Sequence, residues 1–400
     1  MAGSRRPPLV TGWLLMAAIL LCGCSGGDAG VEPHGSPSKV QLPGRLPAET
    51  PTITAVDVFP EPGRGDQPAR VARRLDRALA QAVVGGSSTL GATAAVVTDG
   101  GVWVGAAGTG MRGEPLTPRS SLMYASITKT FTAAEVVLLA SRGDINLDKP
   151  ISEYVDFPVT ENGATVRQVL RMRSGLPAPD DDEGLRSLLL QDPDRHWEPE
   201  ETLRDVPPEV PPALGAFVYS NTNYTLLGQL IEEVTGTRFA AALHADLLDG
   251  HGLADIAVQD VDRPRPPRVL PAPGDSGSGQ YIANRSVASW FWAAGGIAGD
   301  AVSIARWGYL LYGGHVLPPD LVASMHPLDD GTGYGFGTMR SESTLVPGLV
   351  FVGHDGDIGP YRSTLRVATD RPLSVAVLLV HDEKGPANPT VVAEALVAAL

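Results

Sequence analysis

Within the stretch "MYASITKTFTAAEVVLLASRGDINLDKP", Met123 to Pro150, a serine and a lysine stand three residues apart, Ser126 and Lys129. Lysine is scarce in this chain: besides Lys129 there are only Lys39, Lys149 and Lys384, whereas arginine is plentiful. Side chains at i and i+3 of a helix share a face, so the amine can reach the hydroxyl. If Ser126 opens that helix, its backbone N–H is a donor without an intrahelical partner and faces any oxyanion formed there. A lysine set among apolar neighbours such as Phe131 and Val136 releases its proton more readily and can help activate a serine. These are the demands of acyl transfer without a histidine base. The plainer alternative is a helix-capping Ser126 with Lys129 reaching to solvent. A second Ser-x-x-Lys, Ser36 to Lys39, lies in a Pro- and Gly-rich stretch where no helix holds the two side chains together.

Two further stretches carry chemistry-bearing residues. "FVYSNTNYTLLGQLIEEVTG" places Tyr219, Ser220 and Asn221 just before an amphipathic helix ending at Gly236. "FVGHDGDIGPYRS" places His354, Asp355 and Gly356 at the end of a strand-like run. Singly, Tyr219 reads equally as a core aromatic, Asn221 as a helix N-cap and His354 as a satisfied strand-end histidine. "GDSGSG", Gly274 to Gly279, echoes a serine-protease loop, yet it sits in a Pro/Gly connector without the partner residues such a loop requires. No G-x-S-x-G elbow occurs within residues 68–400; the one match, Gly23 to Gly27, lies at the N-terminal leader. Histidines 196, 244, 251, 315, 326 and 381 lack ligand spacing, so no metal and no cofactor is expected.

In order and in context, S-x-x-K, Y-x-N and H-x-G resemble the serine β-lactamase and penicillin-binding protein superfamily, in the branch of class C β-lactamases and D-alanyl-D-alanine carboxypeptidases. "VLRMRSGLP", "AAGGIAGDAVSIARW" and "YGFG" resemble the same branch, and the likeness runs from about residue 70 to the C-terminus. The resemblance implies that Ser126 is the acylated nucleophile and Lys129 accepts or relays its proton. Tyr219 then acts as general base and acid, and Asn221 positions Lys129 and the substrate amide. His354 stands where many relatives carry lysine, and the backbone N–H groups of Ser126 and Asp357 form the oxyanion hole. Asp355 and Gly356 line the substrate pocket. Relatives that act on penicillins or D-Ala-D-Ala have Thr or Ser where this chain has Asp355. An aspartate facing that pocket repels a carboxylate, so a substrate without a free carboxylate beside the scissile bond is expected; strand alternation that turns Asp355 away removes the effect. Met172 stands where relatives often have histidine, a position that reads as structural.

The elements that must position these residues are legible in outline. "ARVARRLDRALAQAVV" has helical apolar spacing, and "GATAAVVTDGGVWVGAAG" is two apolar runs around an Asp-Gly-Gly turn. "YGFGTMR", "GLVFVGHDG", "RSTLRVATD" and "LSVAVLLVHD" read as strands, followed by a closing helix "PTVVAEALVAAL". The fold class expected is α+β: a central antiparallel sheet built from both chain ends, flanked by helices, with a mainly helical insertion at about 144–300.

The N-terminus reads as an export signal over 1–23, with Arg5 and Arg6 before an apolar run. Leu21-Cys22-Gly23-Cys24 resembles a bacterial lipobox, which makes Cys24 the expected lipidation site; a plain secretory signal is the alternative. Residues 24–67 read as a flexible linker and 68–400 as the catalytic-type domain. The only two cysteines of the 400 residues lie in this leader. A formal charge of −14 disfavours nucleic acid as a partner. The expectation is therefore an exported, lipid-anchored serine hydrolase of the cell envelope acting on a small-molecule or peptidoglycan-like substrate. A non-catalytic penicillin-binding-like lipoprotein is the alternative.

Overall fold

The computed structural model describes residues 56–86, 88–177, 183–204, 206, 214–385 and 387–400. Helix α1 (Ala69–Gly85) leads into a hairpin of β1 (Thr89–Thr98) and β2 (Gly101–Gly108), registered Thr98 to Gly101 across Asp99-Gly100. There follow β3 (Leu122–Met123), α2 (Thr128–Arg142), α3 (Val166–Leu170), α4 (Glu183–Gln191), α5 (Pro199–Leu203), α6 (Asn221–Thr235) and α7 (Phe239–Leu243). Next come β4 (Ala257–Val258), α8 (Arg285–Gly295), β5 (Ile297–Gly299), α9 (Ala301–Tyr312) and α10 (Pro319–Met325). The chain closes with β6 (Met339–Glu342), β7 (Val350–Ile358), β8 (Tyr361–Ala368), β9 (Leu373–His381) and α11 (Pro389–Ala398).

Six strands form one antiparallel sheet in the order β2-β1-β9-β8-β7-β6, so both ends of the chain build it, as the α+β reading expected. The apolar run of β9 is buried at all nine positions because the sheet is covered on both faces. Leu373, Val375, Val377 and Leu379 pack toward α1 and α11, while Ala376, Leu378 and Val380 join the larger core with Ile304 and Trp307 of α9. Period-2 alternation thus sorts one strand between two cores.

Three expectations need correction. The linker read as running to Gln67 ends earlier: Phe59 is buried against Tyr309, and the N–H of Gly63 donates to the Thr98 carbonyl at 2.9 Å. Within "YGFGTMR" the strand begins only at Met339, and the preceding glycines make a turn. The helical middle also contributes β4 and β5 to a small second sheet, β3-β5-β4, whose strands of two or three residues are too short to show a period. No helix among the described residues is long and apolar enough to cross a membrane. The expected export signal and Cys24 lie outside the described residues.

Candidate active site

Ser126 occupies a single 3-10 turn, Ala125–Ile127, that runs straight into α2. Ala125 has φ 50°, a left-handed conformation that costs a side-chain-bearing residue about 1–3 kcal/mol. The strained residue makes the sharp bend from β3 into the helix and sets Ser126 half-buried at the cleft wall. One turn along, Lys129 is fully buried. Its Nζ lies 3.0 Å from Ser126 Oγ, 2.5 Å from Asn221 Oδ1 and 2.8 Å from the Ala294 carbonyl oxygen. An ammonium can donate to all three. Once deprotonated, the amine keeps two donors for Asn221 and Ala294 and turns its lone pair to the serine hydroxyl. The arrangement therefore holds both protonation states without moving.

Each partner is fixed by its own element. The Ala294 carbonyl belongs to the last turn of α8, where carbonyls lack helical partners. A kink at Trp292, φ 29°, interrupts the helix there. The two carbonyls beyond it are taken by α2, Ala293 accepting from Thr132 Oγ1 at 2.7 Å and Ala294 from Lys129. The negative end of α8 also favours a cation at that place. Helix α2 is locked from the other side by Phe131 stacked on Trp307, with centroids 4.0 Å apart.

Asn221 is the first residue of α6, and Tyr219 lies two residues ahead of it. Ser220 Oγ and Thr222 Oγ1 both donate to the Pro177 carbonyl at 2.7 Å. Met172, with φ 56°, offers its sulfur to Asn223 Nδ2 at 3.2 Å and to the Ser220 N–H at 3.5 Å. Its place is structural: the thioether seats the Tyr219–Asn221 segment. The Tyr219 ring centroid lies 5.0 Å from Lys129 Nζ, and the residue is 36% exposed, so the phenol faces the cleft.

Strand β7 forms the opposite wall. His354 is buried, and its Nδ1 lies 2.5 Å from the Asp355 carbonyl oxygen. A carbonyl only accepts, so Nδ1 carries the proton. Burial first, then the charge of Lys129, push the imidazole down to about 3, leaving it neutral with Nε2 as an acceptor. Tyr334 Oη lies 3.3 Å from that Nε2 and donates to it. The Tyr334 ring also meets Tyr219 edge-on at 6.0 Å. Thus His354 supplies no charge to this wall of the cleft.

Asp355 is a correction. Its carboxylate accepts from Thr364 Oγ1 at 2.6 Å and from Arg366 at 2.9 Å. Burial opposes ionisation there, but the guanidinium and the hydroxyl together keep the carboxyl below its ordinary value. Asp355 still lines the cleft that holds Ser126, but this pairing offsets the charge through which it was expected to repel a substrate carboxylate. Gly356 is required instead by a close approach: a Cβ there would run into the Tyr124 carbonyl and Ser363 Oγ. That approach brings β7 against the turn that carries Ser126. Since β6 pairs only with Val350 to Gly353, the outer edge of β7 from His354 onward has no strand beside it among the described residues. Asp357, whose N–H was expected in an oxyanion hole, lies on that open stretch, its side chain paired with Arg362 at 3.0 Å. Burial pushes its carboxyl up from the ordinary value.

Ser126, Tyr219, Asn221, His354, Asp355, Gly356 and Asp357 all line one cleft of about 600 Å³. Two participants were not singled out beforehand. The Ala294 carbonyl carries no residue-type signal, although "AAGGIAGD" marked the stretch. Tyr334 was hidden in a segment read as strand. Among the described residues no cluster of histidine, cysteine and carboxylates suits a metal ion.

The family model described as Beta-lactamase matches residues 75–399. Among curated proteins, Protein flp of Staphylococcus aureus (strain COL) is 34% identical over 126 residues, 30% of this chain and 24% of that protein. A probable fimbrial assembly protein FimD, serogroup H1, of Dichelobacter nodosus is 31% identical over 141 residues, 32% of this chain and 34% of its own. The matched segments thus span about a quarter to a third of those relatives. Among solved structures, a D-stereospecific amidohydrolase from a Streptomyces species superposes with TM-score 0.68 at 25% identity, covering 82% of this chain and 98% of its own. A D-amino acid amidase from Ochrobactrum anthropi SV3, complexed with L-phenylalanine amide, gives TM-score 0.68 at 21% identity, over 83% and 98% of the two chains. The latter likeness is one of fold.

Proposed function

Because the chain belongs to the Beta-lactamase family, we propose that it is a serine hydrolase that opens amide or ester bonds, D-alanyl-peptide-type substrates among them, through an acyl-enzyme on Ser126. The observation that carries this reading is the placement of Lys129 Nζ, 3.0 Å from Ser126 Oγ and held by Asn221 and Ala294. In the first half-reaction Ser126 Oγ attacks the carbonyl carbon while its proton passes to Lys129 or, through it, to Tyr219. The carbonyl oxygen becomes an oxyanion facing the N–H groups of Ser126 and Asp357, which β7 brings alongside at Gly356. Collapse breaks the bond to the leaving amine or alcohol, which takes its proton from Tyr219. Water, deprotonated by the same groups, then releases the acid and restores Ser126. Neutral His354, fixed by Tyr334, shapes the wall beneath Tyr219 and contributes no charge to the substrate.

The proposal includes export and anchoring through Cys24, which the lipobox-like sequence supports and which places the enzyme in the cell envelope. Radiolabelled palmitate should enter wild-type protein in a bacterial host and not Cys24→Ala; equal labelling overturns the anchor.

The enzymatic reading is tested by incubating wild type and Ser126→Ala with a p-nitrophenyl ester and a fluorescent penicillin. Ester turnover lost in Ser126→Ala supports hydrolysis. A Ser126-dependent penicillin adduct with no turnover of either compound points to the non-catalytic binding protein. Equal turnover by both proteins contradicts the proposal.

A further inference from the structure

A second cavity of about 390 Å³ adjoins the catalytic cleft and shares Tyr219, Asn221 and Asp357 with it. Away from that opening its walls are largely apolar: Leu185, Leu189 and Leu190 of α4, Val287 and Phe291 of α8, and Ile358 at the end of β7. The α4 wall is anchored independently of the main cores, through a small cluster in which Leu185 and Leu189 pack with Trp197. The Arg186 guanidinium lies 2.8 Å from the Glu383 carboxylate, so the charges these two bring to the lining offset one another. Asp357 is likewise offset by Arg362, and Asp275 adds a carboxylate, which leaves the lining short of positive charge.

The size is informative. A dry apolar cavity of about 150 Å³ accepts a benzene ring, so this one has room for considerably more than a ring. A methyl group, the side chain of an alanyl donor, would leave most of the apolar wall unused. Apolar area removed from water is the main non-directional source of binding.

We infer that this cavity is the acyl-side subsite and that it selects acyl donors with a bulky, uncharged apolar group, a long aliphatic chain or an aromatic ring, over alanyl or acetyl donors. The inference rests on the hydrolytic reading of Ser126 but concerns a different property, binding into the cavity. A single added methylene in such a pocket is worth roughly tenfold or more in selectivity. The Asp275 carboxylate turns the same site against acyl groups that carry their own carboxylate.

The test separates binding from turnover. Dissociation constants of acetamide, hexanamide, 3-phenylpropanamide and adipic acid monoamide are measured by ligand-observed NMR on the full-length Ser126→Ala chain. Hexanamide and 3-phenylpropanamide are expected to bind at least tenfold more tightly than acetamide, and adipic acid monoamide more weakly than hexanamide. Replacing half-buried Leu190 by Trp should shrink the advantage of the long amides over acetamide at least fivefold, with an unchanged circular dichroism spectrum. The same protein carrying Val287→Phe serves if Leu190→Trp misfolds. Amides of all sizes binding alike, or an advantage untouched in both folded variants, overturns the assignment, whether or not wild-type protein hydrolyses an ester. Tight binding of the long amides with no Ser126-dependent turnover would instead leave the subsite standing and remove the hydrolytic reading.

Discussion

Helix α2 buries two ionisable side chains in opposite ways. Lys129, in its first turn, is wholly enclosed yet surrounded by acceptors at 2.5 to 3.0 Å. Glu135, less than two turns further on, is equally enclosed. Burial first, and then the carboxylate of Asp246, push its carboxyl up to about 8, so that it is protonated at neutral pH. Asp246 itself is held ionised by Arg142 at 2.7 and 2.9 Å. One helix thus offers a polar cage at the end that faces the cleft, and only desolvation with like charge at the end that faces the scaffold. A buried charge kept in a ready-made cage is an investment that packing alone does not require.

The comparison breaks most visibly at Lys129. Lys129→Met keeps the length of the side chain and removes the amine, and is expected to lower kcat/KM on an ester by about 10³–10⁴-fold. Removing the amine also takes the donor from the Ala294 carbonyl, which is expected to cost about 1–3 kcal/mol of fold stability. A variant that hydrolyses within tenfold of wild type would make the cage structural after all.

Glu135→Gln should do the reverse, leaving turnover within twofold while changing stability. The native carboxyl binds its proton up to about pH 8 and the unfolded one only to its ordinary value of 4.5. Between those values the folded state holds more protons, so stability falls as pH rises, by up to about 1.4 kcal/mol per pH unit. Thermal melts of wild type at pH 5 and pH 8 should show that fall, and Glu135→Gln should flatten it. A steeper fall in the variant contradicts the assignment.

His354 sharpens the contrast with a slope of the other sign. The native imidazole stays neutral down to about 3, whereas the unfolded one takes a proton near 6.5. Its contribution is present above 6.5 and is lost as pH falls toward 3. His354→Gln should therefore lose less stability than wild type between pH 6.5 and pH 4.5, by the same melts. An unchanged slope would mean that the histidine is not buried neutral.

The smallest effect is expected at Asp355. It lines the cleft, but Arg366 and Thr364 offset its charge, so Asp355→Thr should leave the ratio of kcat/KM for neutral and carboxylate-bearing esters within twofold of wild type. A selective gain for the carboxylate-bearing ester would show that the aspartate repels carboxylates despite its pairing.

These particulars show where a sequence is readable. Ser126 and Lys129 are joined by three residues of helix, a spacing that local geometry makes meaningful, and Tyr219 and Asn221 announce themselves at the start of a clearly periodic helix. Strands β1 and β9 and the closing α11 are long enough to display their period. The partners of Asp355, Thr364 and Arg366, lie on the neighbouring strand β8, a pairing that β7 alone does not spell out. The Ala294 carbonyl is a backbone atom whose direction is set by a kink at Trp292. Phe59 was hidden because one aromatic among prolines and glycines has no pattern until the Tyr309 ring it packs on is in view.

The most direct trial of the account is to expose wild-type protein to a slowly deacylating p-nitrophenyl ester, quench with acid, and map the adduct by peptide mass spectrometry. One acyl group on the peptide that carries Ser126, absent from Lys129→Met under the same exposure, is the predicted outcome. Acylation at another residue, or of Ser126 to the same extent without the lysine, would contradict it.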